Sequence, residues 1–122
     1  DIIYPFTPLS FQDFDNINNS SIVIKVSYKG NKILLTGDIE SEIESELLNY
    51  DISANILKVP HHGSKSSSSF NFLQKIAPEV AIIQSGINNE FGHPHDETLV
   101  NFSNLEIDVL RNDLEGTIEF IF

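Results

Sequence analysis

Cysteine, methionine and tryptophan are all missing from this 122-residue chain. Without cysteine there is neither a disulfide nor a thiolate metal site, so any metal must be held by His, Asp or Glu. That absence fits every compartment and selects none. Cationic residues are scarce: 7 Lys and Arg stand against 18 Asp and Glu, for a formal net charge of −11. This balance opposes nonspecific binding to nucleic acid, which depends on cations neutralising phosphates. A nucleic acid substrate stays open if a bound metal supplies local positive charge. No apolar run approaches the ~20 residues of a membrane span, and no signal peptide is visible. The chain begins at Asp1 with no initiator methionine, so the expectation is a piece of something longer. The complete local metal spacings His-Glu-x-x-His and His-x-His-x-Asp-His are absent as well. So is the Gly-x-Ser-x-Gly elbow that Ser64 or Ser85 would need as a hydrolase nucleophile.

What is present is 40% hydrophobic residues, enough for one domain with a modest core. The stretch that organises it is Leu57-Lys58-Val59-Pro60-His61-His62-Gly63-Ser64. The apolar run Ile56 to Val59 predicts a short buried strand. Pro60 ends it, having no N–H for a sheet ladder, and Gly63 allows unusual backbone angles. Two imidazoles therefore stand on a tight loop at a strand tip, where α/β folds tend to place their chemistry. Upstream, Lys32 to Thr36 ends likewise in Gly37-Asp38, a carboxylate at a strand tip.

Along the chain, residues 1–19 read as an arm or loop, marked by Pro5, Pro8 and the polar run 13–19. Phe6, Phe11 and Phe14 are too apolar for a free linker, so the arm is expected to pack on the body; the sharper alternative is a cover for a neighbour. Ser20 to Tyr28 alternates and Lys32 to Thr36 returns after Lys29-Gly30-Asn31, a β-hairpin pattern. Ile33-Leu34-Leu35 suits a strand buried on both faces. Ile39, Ile43, Leu47 and Tyr50 recur at helical spacing, predicting a helix over 39–49. Strands are expected over 54–59, 79–84, 106–110 and 117–122, and further helices over 68–76 and 96–102. The serine run Ser64 to Ser69 reads as a flexible connector or as a source of caps. Strands alternating with helices predict an α/β layer structure with no second domain.

All 4 histidines fall in two groups, His61-His62 and His93-His95, each on a loop containing glycine. The plain alternatives are structural histidines and, for Asp38, a helix N-cap. Two histidine pairs beside a strand-tip carboxylate instead suit a zinc-like divalent ion.

Asn19-Ser20-Ser21-Ile22-Val23, Ile33-Leu34-Leu35-Thr36-Gly37-Asp38, Leu57 to Ser64, Asn89-Glu90-Phe91-Gly92-His93-Pro94-His95 and Arg111 to Gly116, in that order, resemble the metallo-β-lactamase fold. More narrowly they resemble the ComEC-like hydrolase domain of competence DNA-uptake proteins. The likeness runs from about Asn19 to the C-terminus. It implies the C-terminal half of an αββα sandwich: a mixed sheet with helices on one face, residues 20–122 forming the second half. Asp38 matches a bridging ligand of a site for two zinc or manganese ions. One of His61 and His62 matches a further metal ligand, and the other would sit behind it or act on substrate; which is which stays open, so both are metal candidates, and His62 is also a catalytic candidate with Asp38 and His93. His93 matches a residue at the mouth of the site, for substrate phosphate or proton transfer, and His95 a helix-start group. The main ligand motif belongs to the N-terminal half, which this chain lacks, so that half is an implied partner. The chain alone is expected to be inactive. The implied substrate is DNA or another phosphodiester, and the implied parent is membrane-associated with this domain in solution, an extracytoplasmic placement being open. The alternatives are a metallo-β-lactamase-fold hydrolase of small esters or lactones, and a module without catalysis.

Overall fold

The computed structural model describes residues 1–8 and 13–122. Six strands form one mixed sheet whose spatial order follows the chain, β1 to β6. These are β1 (Ile2–Tyr4), β2 (Val23–Tyr28), β3 (Asn31–Leu35), β4 (Ile56–Lys58), β5 (Val80–Ile83) and β6 (Asp108–Arg111). The first three are antiparallel, and β3 to β6 run parallel. Helices α1 (Ser41–Leu47), α2 (Phe70–Ile76) and α3 (Asp96–Asn104) connect the parallel strands, and the short α4 (Asn112–Glu115) follows β6. None of the described helices is long and apolar enough to cross a membrane.

Residues 1–19, expected as an arm, begin with strand β1. Its amide ladder is anchored by the N-terminal ammonium, which donates to the Lys25 carbonyl at 2.8 Å. Phe6 stacks on Tyr50 with centroids 4.5 Å apart, and Phe14 is half-buried; Phe11 lies outside the described residues. The hairpin forms as its alternation predicts, with Ile24 opposite Leu35 and Val26 opposite Ile33.

The core lies on one side of the sheet. Val23, Leu34, Leu57, Ala81 and Ile83 pack there against Ile43, Leu47, Phe72, Leu73, Ile76 and Phe102 from the three helices. Each of these side chains except that of Ala81 stabilises the fold by about 1.5–3 kcal/mol through removal from water. Period-2 geometry then sends the alternate residues to the other face. Along one row stand Ile24, Leu35, Lys58, Ile82 and Leu110, and along the next Val26, Ile33, Ile56, Val80 and Asp108. The run Ile33-Leu34-Leu35 is therefore not buried on both faces as expected. Leu34 is inaccessible while Leu35 is 39% and Val26 41% exposed, because no helix covers their side.

Three further expectations are corrected. The helix expected from Ile39 starts at Ser41, with extended Glu40 as its cap, so Asp38 is not an N-cap. The serine run is no loose connector, because Ser64, Ser67 and Ser68 are buried. Residues 117–122 form no strand; they find no ladder partner, and the Phe122 carbonyl instead accepts from Lys29 Nζ at 3.2 Å.

Candidate functional site

Parallel pairing of β3, β4 and β5 puts three strand ends side by side, and the loop after each delivers part of one cluster. After β3, Gly37 adopts φ +56°, and an added Cβ would lie 2.6 Å from that of Ser21. Ser21 Oγ accepts the Asp38 amide at 3.0 Å. After β4, Pro60–Gly63 makes a single tight turn. Its left-handed backbone falls on the histidines themselves, with φ +46° at His61 and +55° at His62. Each such angle costs roughly 1–2 kcal/mol for a residue with a Cβ, and strain of this kind gathers at functional sites. After β5, Asn89 ties its own loop, accepting the His93 amide at 2.9 Å and donating to the His93 carbonyl at 2.7 Å.

The two histidine loops interlock. The His95 amide donates to the Gly63 carbonyl at 3.0 Å. Lys65 N–H donates to His95 Nδ1 at 3.0 Å, and Thr98 Oγ1 donates to the Ser64 carbonyl at 3.0 Å. His95 is thus a fastening at the start of α3, where it is the cap residue.

Asp38, His61, His62 and His93 converge at this edge, but the adjacent pair faces different partners. His62 Nδ1 lies 2.5 Å from the Gln84 carbonyl; only an N–H can make that contact, which leaves Nε2 as the free nitrogen. Nε2 stands 3.7 Å from Asp38 Oδ1. His61 Nδ1 instead meets Glu40 Oε1 at 3.1 Å, and Glu40 also accepts from Asn18 Nδ2 at 2.9 Å. Burial pushes the Glu40 carboxyl up, but hydrogen bonds from Asn18 and Asn16, the His61 charge and Ser66 outweigh it and hold it below the usual range. The His93 ring lies 5.5 Å from that of His61 and 6.4 Å from that of His62. Burial, then the neighbouring His95, His61 and His62, push its pKa down against the pull of Asp38.

The contact between Nε2 and the carboxylate is attractive when the ring nitrogen carries a proton or when a cation lies between the two. Two donors about 2.0–2.2 Å from one zinc ion are at most about 4.3 Å apart, so the 3.7 Å separation suits a shared ion. The Gln84 carbonyl is the outer partner that a ligating imidazole characteristically has. Among the described residues, however, no group of three or more His, Asp or Glu side chains is arranged to hold a metal. Asp38 and His62 are thus two donors of a kind that a divalent ion takes, at a separation one ion could span.

Sequence reasoning missed Lys58. Its Nζ donates to the Gly37 carbonyl at 2.9 Å and stands 3.5 Å from Asp38 Oδ1. Burial pushes its pKa down, partly opposed by Asp38. The available signal was a cation inside the apolar run Ile56 to Val59. Glu40 was also missed as the partner of His61, since nothing in the sequence distinguishes it from the other glutamates of its segment.

Beside His62 and His93 opens a cleft of about 450 Å³, lined also by Gln84, Asn89, Phe91 and Asn112.

No protein-family model matches the chain. It is 45% identical over 105 residues to ComE operon protein 3 of Bacillus subtilis, covering 84% of this chain and 14% of that protein. It is 34% identical over 106 residues to competence protein ComA of Neisseria gonorrhoeae, covering 84% of this chain and 15% of that protein. With recombination protein 2 of Haemophilus influenzae it shares 34% over 105 residues, 86% of this chain and 13% of that protein. The chain thus spans about one-seventh of the length of these relatives.

Proposed function

We propose that this chain is the second half of a metal-dependent hydrolase domain that acts on a phosphodiester of DNA during DNA uptake. The similarity to competence proteins supports the DNA-uptake role. The observation that carries the hydrolase reading is the facing of Asp38 Oδ1 and His62 Nε2 across 3.7 Å. Asp38 and His62 would hold part of a site for zinc or manganese, and such an ion supplies Lewis acidity and an activated water when bound. The Gln84 carbonyl fixes the His62 tautomer, and Glu40 holds His61. His93 can take up a proton beside a substrate phosphate oxygen and, once protonated, return it there. The Lys58 ammonium offsets the Asp38 charge. The uncovered apolar face supports an implied partner, an N-terminal half of the same domain that brings the remaining His and Asp ligands and closes over Leu35 and Val26.

The test is Asp38→Asn in the complete protein. Since Asp38 caps no helix, a nearly isosteric amide there leaves the fold formed, at the cost of the ion pair to Lys58. Metal content by elemental analysis and the hydrolysis rate should both fall at least tenfold, with the melting temperature lowered only slightly. A second reading, a module without catalysis, is favoured by Lys58, whose ammonium already serves as the cation beside Asp38. On that reading, metal content and rate in Asp38→Asn equal the parent values.

A further inference from the structure

We infer that the cleft beside His62 and His93 is a subsite for one base of single-stranded DNA, with Phe91 as its stacking platform. This rests on the phosphodiester reading above and names how the substrate is gripped. Phe91 is 75% exposed at the rim, yet its loop is fixed, because the Gly92 amide donates to the Asn89 carbonyl at 3.2 Å. The Phe91 ring lies 5.7 Å from His93 and within 22° of parallel to it. His93 in turn lies within 20° of parallel to His62. Phe91, His93 and His62 thus follow one another from the mouth of the cleft toward Asp38, each ring tilted little from the next. A base laid on Phe91 would bring its own phosphate to His93 and the Asp38–His62 pair.

The lining suits a base rather than a charged group. No Asp or Glu lines the cleft, although the chain carries a net charge of −11. Asn89 has its amide engaged within the loop. Among the described residues, the Gln84 side-chain amide makes no hydrogen bond, and Asn112 uses only its Oδ1, which accepts from the Ser85 amide at 2.9 Å. Gln84 thus offers a free amide group, and Asn112 its Nδ2, to a base edge, the kind of polar contact that accompanies aromatic stacking of unpaired bases. The chain's own net charge of −11 opposes holding DNA by neutralising phosphates. Stacking needs no positive charge and tolerates any base.

The experiment uses the complete protein with a chelator present, so that binding is read without hydrolysis. A fluorescein-labelled oligothymidylate and an abasic strand of the same length are titrated by anisotropy. Phe91→Ala should weaken oligothymidylate binding roughly 5- to 150-fold, and Phe91→Trp should retain it. The abasic strand should bind the parent and Phe91→Ala alike. Equal oligothymidylate affinity in Phe91→Ala, or an equal loss on the abasic strand, would overturn the subsite. Failure of the hydrolase reading shows elsewhere, as unaltered metal content in Asp38→Asn, so the two can fail separately.

Discussion

The finest-grained lever in the site is Gly63. It sits at φ +82°, and a Cβ there would come 2.7 Å from Pro94 Cβ. The two histidine loops touch at this point, so the residue cannot grow without pushing them apart. Gly63→Ala should destabilise the fold by about 1–3 kcal/mol, the usual range for a strained backbone, and should lower activity in the complete protein more than stability alone explains. Gly92→Ala is the comparison: it shares a positive φ but has open space around it, so thermal unfolding should register a smaller loss. At this scale the sequence was informative about identity and uninformative about direction. The placement of Asp38 and His62 at strand tips was legible from the apolar runs before them, and that of His93 on a loop from Gly92 and Pro94 beside it. Which of His61 and His62 faces Asp38 was not, since both take left-handed angles that no local rule assigns to histidine. Lys58 and Glu40 were hidden for a related reason, their partners lying on other loops.

Between elements, the joint that holds the serine run is Glu44. This carboxylate on α1 is fully buried and accepts the Ser68 and Ser69 amides at the start of α2. Ser69, the cap residue of α2, makes no side-chain capping bond, so Glu44 caps the helix from outside. Burial pushes its pKa up, and the Ser69 and Ser68 hydrogen bonds only partly oppose this. A carboxyl raised in the folded state stabilises it at low pH. That contribution is lost as pH climbs from the unfolded value of 4.5 through the folded one. Wild type should therefore lose stability relative to Glu44→Gln as pH rises above 4.5. At low pH, Glu44→Gln should be the less stable by about 1–3 kcal/mol, because its amide NH₂ meets a backbone donor. Chemical unfolding of both proteins across that range checks the sign. The parallel strands were legible from their apolar runs and the helices from their spacing. Strand β1 was not, being short and followed by Pro5, and the alternation over 117–122 misled because a strand needs a neighbour as well as a pattern.

As a whole molecule, the chain is finished on one face only. Helices cover one side of the sheet, and Ile22, Val26, Tyr28 and Leu35 stand 39–56% exposed on the other. A patch of this kind marks an interaction surface or an aggregation liability. The chain by itself should self-associate in sedimentation experiments, and Leu35→Lys with Val26→Lys should return it toward monomer. By calorimetry it should bind zinc or manganese only weakly, since two donors hold an ion poorly, and it should show no appreciable phosphodiesterase turnover. Strong binding or turnover by the chain alone would remove the need for outside ligands.

The sheet order has a kinetic corollary. Because β1 to β6 lie side by side in the order they are written, each new strand can pair with the one made just before it. The parallel pairs from β3 to β6 each close only across a helix-bearing crossover, the non-local kind of contact that slows folding. Assembly can thus proceed as stepwise accretion, with the His61–His62 turn laid down on a growing edge. The clasp from His95 to Gly63 then latches only when the segment after β5 arrives.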